Sequence, residues 1–234
     1  MVQAKIIIEN PEGLNNTPER YEQYAKMGLY RNLSTVWVTP GRGTMATRTA
    51  INWTTVMSGF NAPLARILVE GFEVGAAYNE AVKQILGSPL GKFEYMLTVE
   101  EDNTPPSNGL HFLLDSIQQY DVVGGLYWTK GPGGVPMIWG DPATPYTYVP
   151  QPPKAESIQQ CNGLGMGFTL FRMDLFRNPA FKPGSWFKTG GDKPGEAFTQ
   201  DLYFFKRAAE LGYKFACDTR CRVGHYDHEG GTIW

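Results

Sequence analysis

Tyr95-Met-Leu-Thr-Val-Glu-Glu-Asp-Asn-Thr-Pro-Pro106 sets three acids directly behind an apolar run. Tyr95 to Val99 reads as a buried strand, and the two prolines mark the turn that follows. Carboxylates crowded at the end of such a strand repel one another with little water to screen them. A cation beside them relieves that cost. In an extended chain Glu100 and Asp102 point to the same side, so two carboxylates can face one divalent ion, and hard oxygen ligands suit Mg2+ or Mn2+. The plainer alternative is a solvated turn that carries acids, and on these residues alone it is the favoured reading.

Working outward toward the N-terminus, Val74 to Leu86 has helical spacing and is stopped by Gly87-Ser88-Pro89. Leu64-Ala-Arg-Ile-Leu-Val69 is strand-like, and Thr44 to Ser58 suits a helix. Leu33-Ser-Thr-Val-Trp-Val-Thr39 is β-branched and aromatic until Pro40-Gly-Arg-Gly43 breaks it. In the other direction, Ser107 or Asn108 caps a helix to about Gln119, and Asp121 to Trp128 forms another strand. Strands alternating with helices predict an α/β fold, a doubly wound, mostly parallel sheet with helices on both faces. Ligands of such sheets bind beyond the carboxyl ends of the strands. Thr39 to Arg42, Glu70 and Glu100 to Asp102 all fall at those ends.

The second half is less regular. Residues 129–160 are rich in Pro and Gly with Trp139, Tyr146 and Tyr148 interleaved, which fits a long excursion over a site or merely a loop. A glycine-rich, strand-like segment runs from Cys161 to Arg172, and a mobile-looking loop from Lys182 to Gly195. A helix is predicted from Phe198 to Leu211 with Gly212 as its stop. Tyr213 to Cys217 and Cys221 to His225 close the chain as short strands.

With 234 residues, 42% hydrophobic and 19% charged, the chain can build a real core, and one domain over 1–234 is the expectation. A net charge of -2 supplies no field that draws the protein onto nucleic acid or anionic lipid. No apolar stretch approaches a membrane span, and no secretory apolar region follows the start. The three cysteines show no metal-knuckle spacing, and Cys217 and Cys221 are expected to be ordinary reduced core or strand residues of a cytoplasmic protein.

Several motifs are excluded by spacing. Gly163-Leu-Gly-Met-Gly167 leads into a β-like run and lacks the dinucleotide pattern. Pro40-Gly-Arg-Gly43 is not followed by Gly-Lys-Ser/Thr, and there is no Pro-Cys-x-x-Cys of a zinc deaminase. His225-Tyr-Asp-His228-Glu229 is rich in ligand types, and His225 gains value if the fold carries it to Asp102. Asp201 opens a helix, where the dipole favours a carboxylate or a plain cap; Glu196 just upstream is a similar candidate.

In order and spacing the chain resembles nucleotide-sugar glycosyltransferases of the GT-A fold, closest to family 2-like enzymes, over roughly residues 33–228. Tyr95 to Pro106 looks like that family's strand ending in a D-x-D metal motif. Gly165 to Phe176, beginning Gly165-Met166-Gly167, resembles the segment lining the sugar pocket on the acceptor side. Gln200 to Lys214 with Arg222-Val-Gly-His225 resembles its acidic helix start and late Gly-His. Three departures stand out: Glu100 at the first D-x-D position, Gln200 before the helix Asp, and Ala77-Tyr78-Asn79 where Ala-Arg-Asn is often seen.

The resemblance implies a metal-dependent hexosyltransferase-like enzyme. A nucleotide-binding half spans about 33–128 and an acceptor half about 129–234. It implies a nucleotide-diphosphate sugar, a UDP-sugar foremost, and Mn2+ or Mg2+ on Asp102 with Glu100 and His225. Thr39, Pro40, Arg42, Glu70, Asn79 and Glu101 would hold the donor. Gly165, Met166, Gly167 and Glu196 would lie on the acceptor side, and Asp201 would be the base for an acceptor hydroxyl. The rival expectations are a GT-A-like binding protein without turnover and a nucleotidyltransferase. The acceptor is unspecified, and a nucleic-acid acceptor gains no support from the charge.

Overall fold

A computed structural model describes residues 5–9, 31–58, 62–182, 184–190 and 198–234. The expected alternation is present. Strand β1 (Lys5–Glu9) is followed by β2 (Thr35–Gly41), α1 (Thr47–Ser58), β3 (Leu64–Glu70), α2 (Val74–Leu86) and β4 (Tyr95–Val99). Then come the short β5 (Asn103–Thr104), α3 (Gly109–Ser116) and β6 (Val122–Leu126). Beyond them lie β7 (Ile138–Trp139), β8 (Ile158–Cys161), β9 (Gly163–Leu164), β10 (Phe168–Arg172) and α4 (Asp174–Arg177). Helix α5 (Gln200–Glu210), β11 (Phe215–Arg222) and β12 (Gly224–His225) complete the chain.

Eight strands form one sheet in the order β1-β3-β2-β4-β10-β6-β11-β8. β2, β3, β4, β6 and β11 run one way, and β1, β10 and β8 the other. The mostly parallel sheet therefore carries a reversed strand, β10, wedged between β4 and β6. Its register pairs Phe168 with Val99 and Thr169 with Gly124. Strands buried on both sides read as continuous apolar runs, and β4 and β6 are buried along their whole lengths.

Alternate residues of each central strand feed one of two cores. Val36, Val38, Met96, Val122 and Phe171 pack with α2 and α5 on one face, around Tyr78, Val82, Phe204 and Phe205. Trp37, Leu97, Val99, Val123 and Leu170 pack with α1 and α3 on the other, around Trp53, Leu110 and Leu113. Helices thus cover both faces. The two closing strands predicted from sequence differ in one respect: residues 215–222 are one strand with an irregularity after Asp218, and Gly224–His225 leaves the main sheet to pair with β5. Among the described residues no helix is long and apolar enough to cross a membrane.

Candidate functional site

The carboxyl ends of β2, β3 and β4 meet at one rim, and β4 delivers the three acids there. The β5–β12 pairing sets His225 opposite Asn103, next to Asp102 in the chain. His225 Nε2 stands 3.5 Å from Asp102 Oδ2, while Nδ1 lies 2.7 Å from the Trp128 carbonyl oxygen. Asp102 is tied further by Lys130, whose Nζ donates to the same Oδ2 at 2.5 Å, and its carbonyl accepts from the Tyr226 amide at 2.6 Å. Glu101 folds back on Arg42, accepting from its Nε at 2.5 Å and its backbone amide at 3.0 Å. Glu100 goes a third way, accepting from the buried Tyr78 hydroxyl at 3.0 Å.

These partners drive the two outer acids apart. Burial, then the charge of Asp102, pushes the Glu100 carboxyl up to about 7, against the pull of the Tyr78 hydrogen bond. Burial also works to raise Asp102, but hydrogen bonds from His225 and Lys130 outweigh it and hold the carboxyl at about 2. Asp201 is buried in the first turn of α5, its Oδ1 accepting from the Leu202 amide at 2.9 Å, and burial raises its pKa. The charge of Asp201 is felt at Glu100, which places the two in one electrostatic neighbourhood.

The glycine segment lies directly behind the acids. The Glu100 amide donates to the Gly167 carbonyl, and the Gly167 amide donates to the Tyr127 hydroxyl at 2.9 Å. A methyl on Gly165 would stand 2.1 Å from that hydroxyl, and one on Gly167 would stand 2.4 Å from Asn103 Oδ1. Only glycine lets this strand approach so closely. Met166 is a core residue whose carbonyl accepts from Thr98. Tyr127 in turn meets the His225 ring edge-on at 5.5 Å.

At this rim Pro40, Gly41, Arg42, Phe72, Val74 and the three acids line a cavity of about 270 Å³. A neighbouring one of about 210 Å³ is lined by Thr39, Glu70 and Glu101 among others. Asn79 is placed differently from the expectation of a donor contact. Its amide is taken up by Phe187, donating to that carbonyl at 2.7 Å and accepting from that amide at 3.0 Å. Glu196 lies outside the described residues, as does part of the Lys182–Gly195 loop. A larger cavity of about 340 Å³, lined by Tyr146, Tyr148 and Phe215, opens at the far end of β11 and has no acid in its wall.

The fold brings Glu100, Asp102 and His225 together, but not as a ready metal cage. Asp102 is already paired with Lys130, Glu100 is turned to Tyr78 with its carboxyl pushed up to about 7, and Glu101 is closed by Arg42. Among the described residues no group of three His, Cys, Asp or Glu is arranged to hold an ion. As arranged, the donor set does not fit a bound Mn2+ or Mg2+. The cation that the acid cluster demands is supplied from within the chain.

Lys130, Tyr78 and Tyr127 escape the sequence reading. A usable signal for Lys130 is its place in Thr129-Lys-Gly-Pro-Gly-Gly134, a basic glycine-rich turn at the end of a parallel strand. Tyr78 and Tyr127 read as core aromatics, and nothing local marks their hydroxyls.

No family model matches the chain, and no curated protein does either. Among solved structures it is similar to A197 from STIV, with a TM-score of 0.55 and 16% identity over 86% of this chain and 93% of that one. That likeness covers nearly the whole of both chains and extends to the fold alone. A 4-diphosphocytidyl-2C-methyl-D-erythritol synthase from Anaerococcus prevotii DSM 20548 aligns at a TM-score of 0.34 and 10% identity, over 61% and 71% of the two chains. So slight a likeness bears no weight.

Proposed function

We propose that this chain is a transferase that moves a sugar from a nucleotide-diphosphate sugar, a UDP-sugar foremost, to an acceptor hydroxyl in the cleft beside Glu100 and Asp102, with Asp201 as the base. One observation carries this reading. Glu100 and Asp102 meet His225, from a distant part of the sequence, at one strand-end rim, with Glu100 driven to about 7 and Asp102 to about 2, and the charge of Asp201 is felt at Glu100. Carboxyls pushed apart in this way mark sites where one group moves a proton and another holds charge.

In the reaction the acceptor oxygen forms a bond to the anomeric carbon as the bond from that carbon to the diphosphate oxygen breaks. The electron pair leaves on the diphosphate, and the acceptor proton passes to Asp201. Thr39, Pro40, Arg42, Glu70 and Glu101 frame the space for base and ribose. The glycine segment Gly165-Met166-Gly167 backs the sugar side.

A thermal-shift series with UDP- and GDP-sugars, with and without Mn2+, followed by assays of donor hydrolysis and transfer, tests this reading. A raised melting temperature with release of free nucleotide is the expected result. Asp201→Asn should lower transfer by at least roughly 100-fold, while donor binding stays within about threefold of the parent. Equal losses in both would remove Asp201 as the base. One observation favours a binding protein without turnover: Glu101 and Asp102 are both closed by ion pairs. Under that reading the melting temperature rises and no nucleotide is released.

A further inference from the structure

We infer that Lys130 is the resident cation of this site and takes the donor's diphosphate in the role that the acids alone would assign to a divalent ion. The inference rests on the nucleotide-sugar reading and deepens it. Lys130 follows β6 in a turn fixed by its own hydrogen bonds, Thr129 N to Val135 O, Gly134 N to Gly131 O, and Val135 N to Thr129 Oγ1. Gly131 and Gly133 adopt φ of 95° and 83°, a region that L side chains rarely enter. The turn is therefore a built feature, and it delivers one ammonium group to the end of β4.

There Nζ meets Asp102 Oδ2 at 2.5 Å, and His225 Nε2 approaches the same oxygen at 3.5 Å. A divalent ion on that oxygen would have to displace the Lys130 ammonium and crowd the His225 ring. An ammonium carries three N–H donors. Among the described residues Lys130 makes this single hydrogen bond, and its side chain keeps 31% of its surface open. Two donors thus remain for phosphate oxygens while Asp102 holds the third. On the other side of the acids, Arg42 is anchored by Nε to Glu101 with its side chain 73% exposed. A diphosphate entering the cavity lined by Arg42 and Asp102 meets one fixed positive group at each flank, which a metal would otherwise supply.

The test uses the full chain after passage over a chelating resin, with UDP and GDP as probes. Isothermal titration calorimetry is run in EDTA and in Mn2+ on the parent, Lys130→Ala and Lys130→Arg. The parent is expected to bind the nucleoside diphosphate equally, within about threefold, in both buffers. Lys130→Ala should lose about tenfold or more in EDTA, the value of one charge-assisted hydrogen bond, and Lys130→Arg should keep most of the affinity. Urea denaturation confirms that each variant folds, and the arginine variant carries the test if the alanine variant does not. An electron paramagnetic resonance titration of Mn2+ alone is expected to leave the metal free in solution. Nucleotide binding that appears only with Mn2+, or that Lys130→Ala leaves intact in EDTA, overturns the inference and spares the nucleotide-sugar reading. If neither nucleotide binds in either buffer, the underlying reading fails and the inference falls with it.

Discussion

Glu100 and Asp102 are two residues apart, share one strand end and titrate in opposite directions. Both lose water on folding, and Asp102 gains two compensating partners, His225 and Lys130. Glu100 has the Tyr78 hydroxyl, which is not enough against burial and a neighbouring anion. The sign of its effect on stability follows from linkage. A carboxyl whose folded value is raised from 4.5 to about 7 binds its proton more tightly in the native state. Its stabilising contribution is therefore complete below pH 4.5 and is lost as pH rises through 7. Glu100→Gln removes that loss. The shift sets a ceiling of roughly 3 kcal/mol, and solvent around this partly exposed residue brings the expected gain at pH 8 to on the order of 1–2 kcal/mol. Urea denaturation at pH 5 and pH 8 measures it: the variant should gain at pH 8 and differ little at pH 5. Equal stability of variant and parent at pH 8 would show that Glu100 is not strained when ionised. At this scale the acids, Asp201 and His225 were legible as residue types in suggestive places. Their partners were not, because Lys130 is 28 residues from Asp102 and Tyr78 is 22 from Glu100. A lysine in a Pro/Gly loop and a tyrosine on an apolar helix face look ordinary in a string of letters.

Helix α2 shows what a single element contributes. Its residues Ala77, Tyr78, Ala81, Val82 and Ile85 are buried at helical spacing, Glu73 caps it by accepting from the Ala76 amide at 3.0 Å, and the Gly87 amide closes it on Lys83. Every one of those signals is local, which is why 74–86 was readable to the residue. The same helix positions the site at long range through groups that no local pattern reveals. Tyr78 reaches Glu100, and Asn79 clamps the backbone of Phe187, which packs on Tyr78 with ring centroids 5.2 Å apart. Asn79→Ala should therefore free the Phe187 amide, speeding its hydrogen exchange and costing about 1–2 kcal/mol of stability for two lost side chain–backbone bonds. Unchanged exchange at Phe187 in the variant would mean that the ring packing alone holds this segment. Strand β10 was the least legible element. The Cys161–Arg172 segment announces a strand, but its reversed insertion between β4 and β6 depends on partners 69 to 77 residues away for β4 and some 45 to 49 for β6. Close packing at Gly165 and Gly167, not periodicity, makes that insertion fit.

For the whole molecule, the consequence of β10 and β11 is that the halves of the chain interleave. The sheet runs β4, β10, β6, β11, alternating strands from before and after residue 129. The two halves expected from the sequence, about 33–128 and 129–234, share one sheet that offers no line along which to separate them. Three buried thiols report on this. Cys161 lies on β8, Cys217 and Cys221 on β11, all free, and burial pushes all three thiols up from their ordinary range. A thiol reacts as its thiolate, so native protein should be silent to an aromatic disulfide reagent over minutes while unfolded protein reacts at all three. If both halves open together, titrating urea should release the three thiols in a single transition that coincides with the change in tryptophan fluorescence, to which the Trp37–Trp53 pair, with rings 5.3 Å apart, contributes. Those indoles belong to the core over α1 and α3, and Cys161 and Cys217 to the core over α2 and α5. Thiol release at a lower urea concentration than the fluorescence change would mean that the β8–β11 edge opens first. The sheet would then behave as two cooperative units despite its interleaved strands.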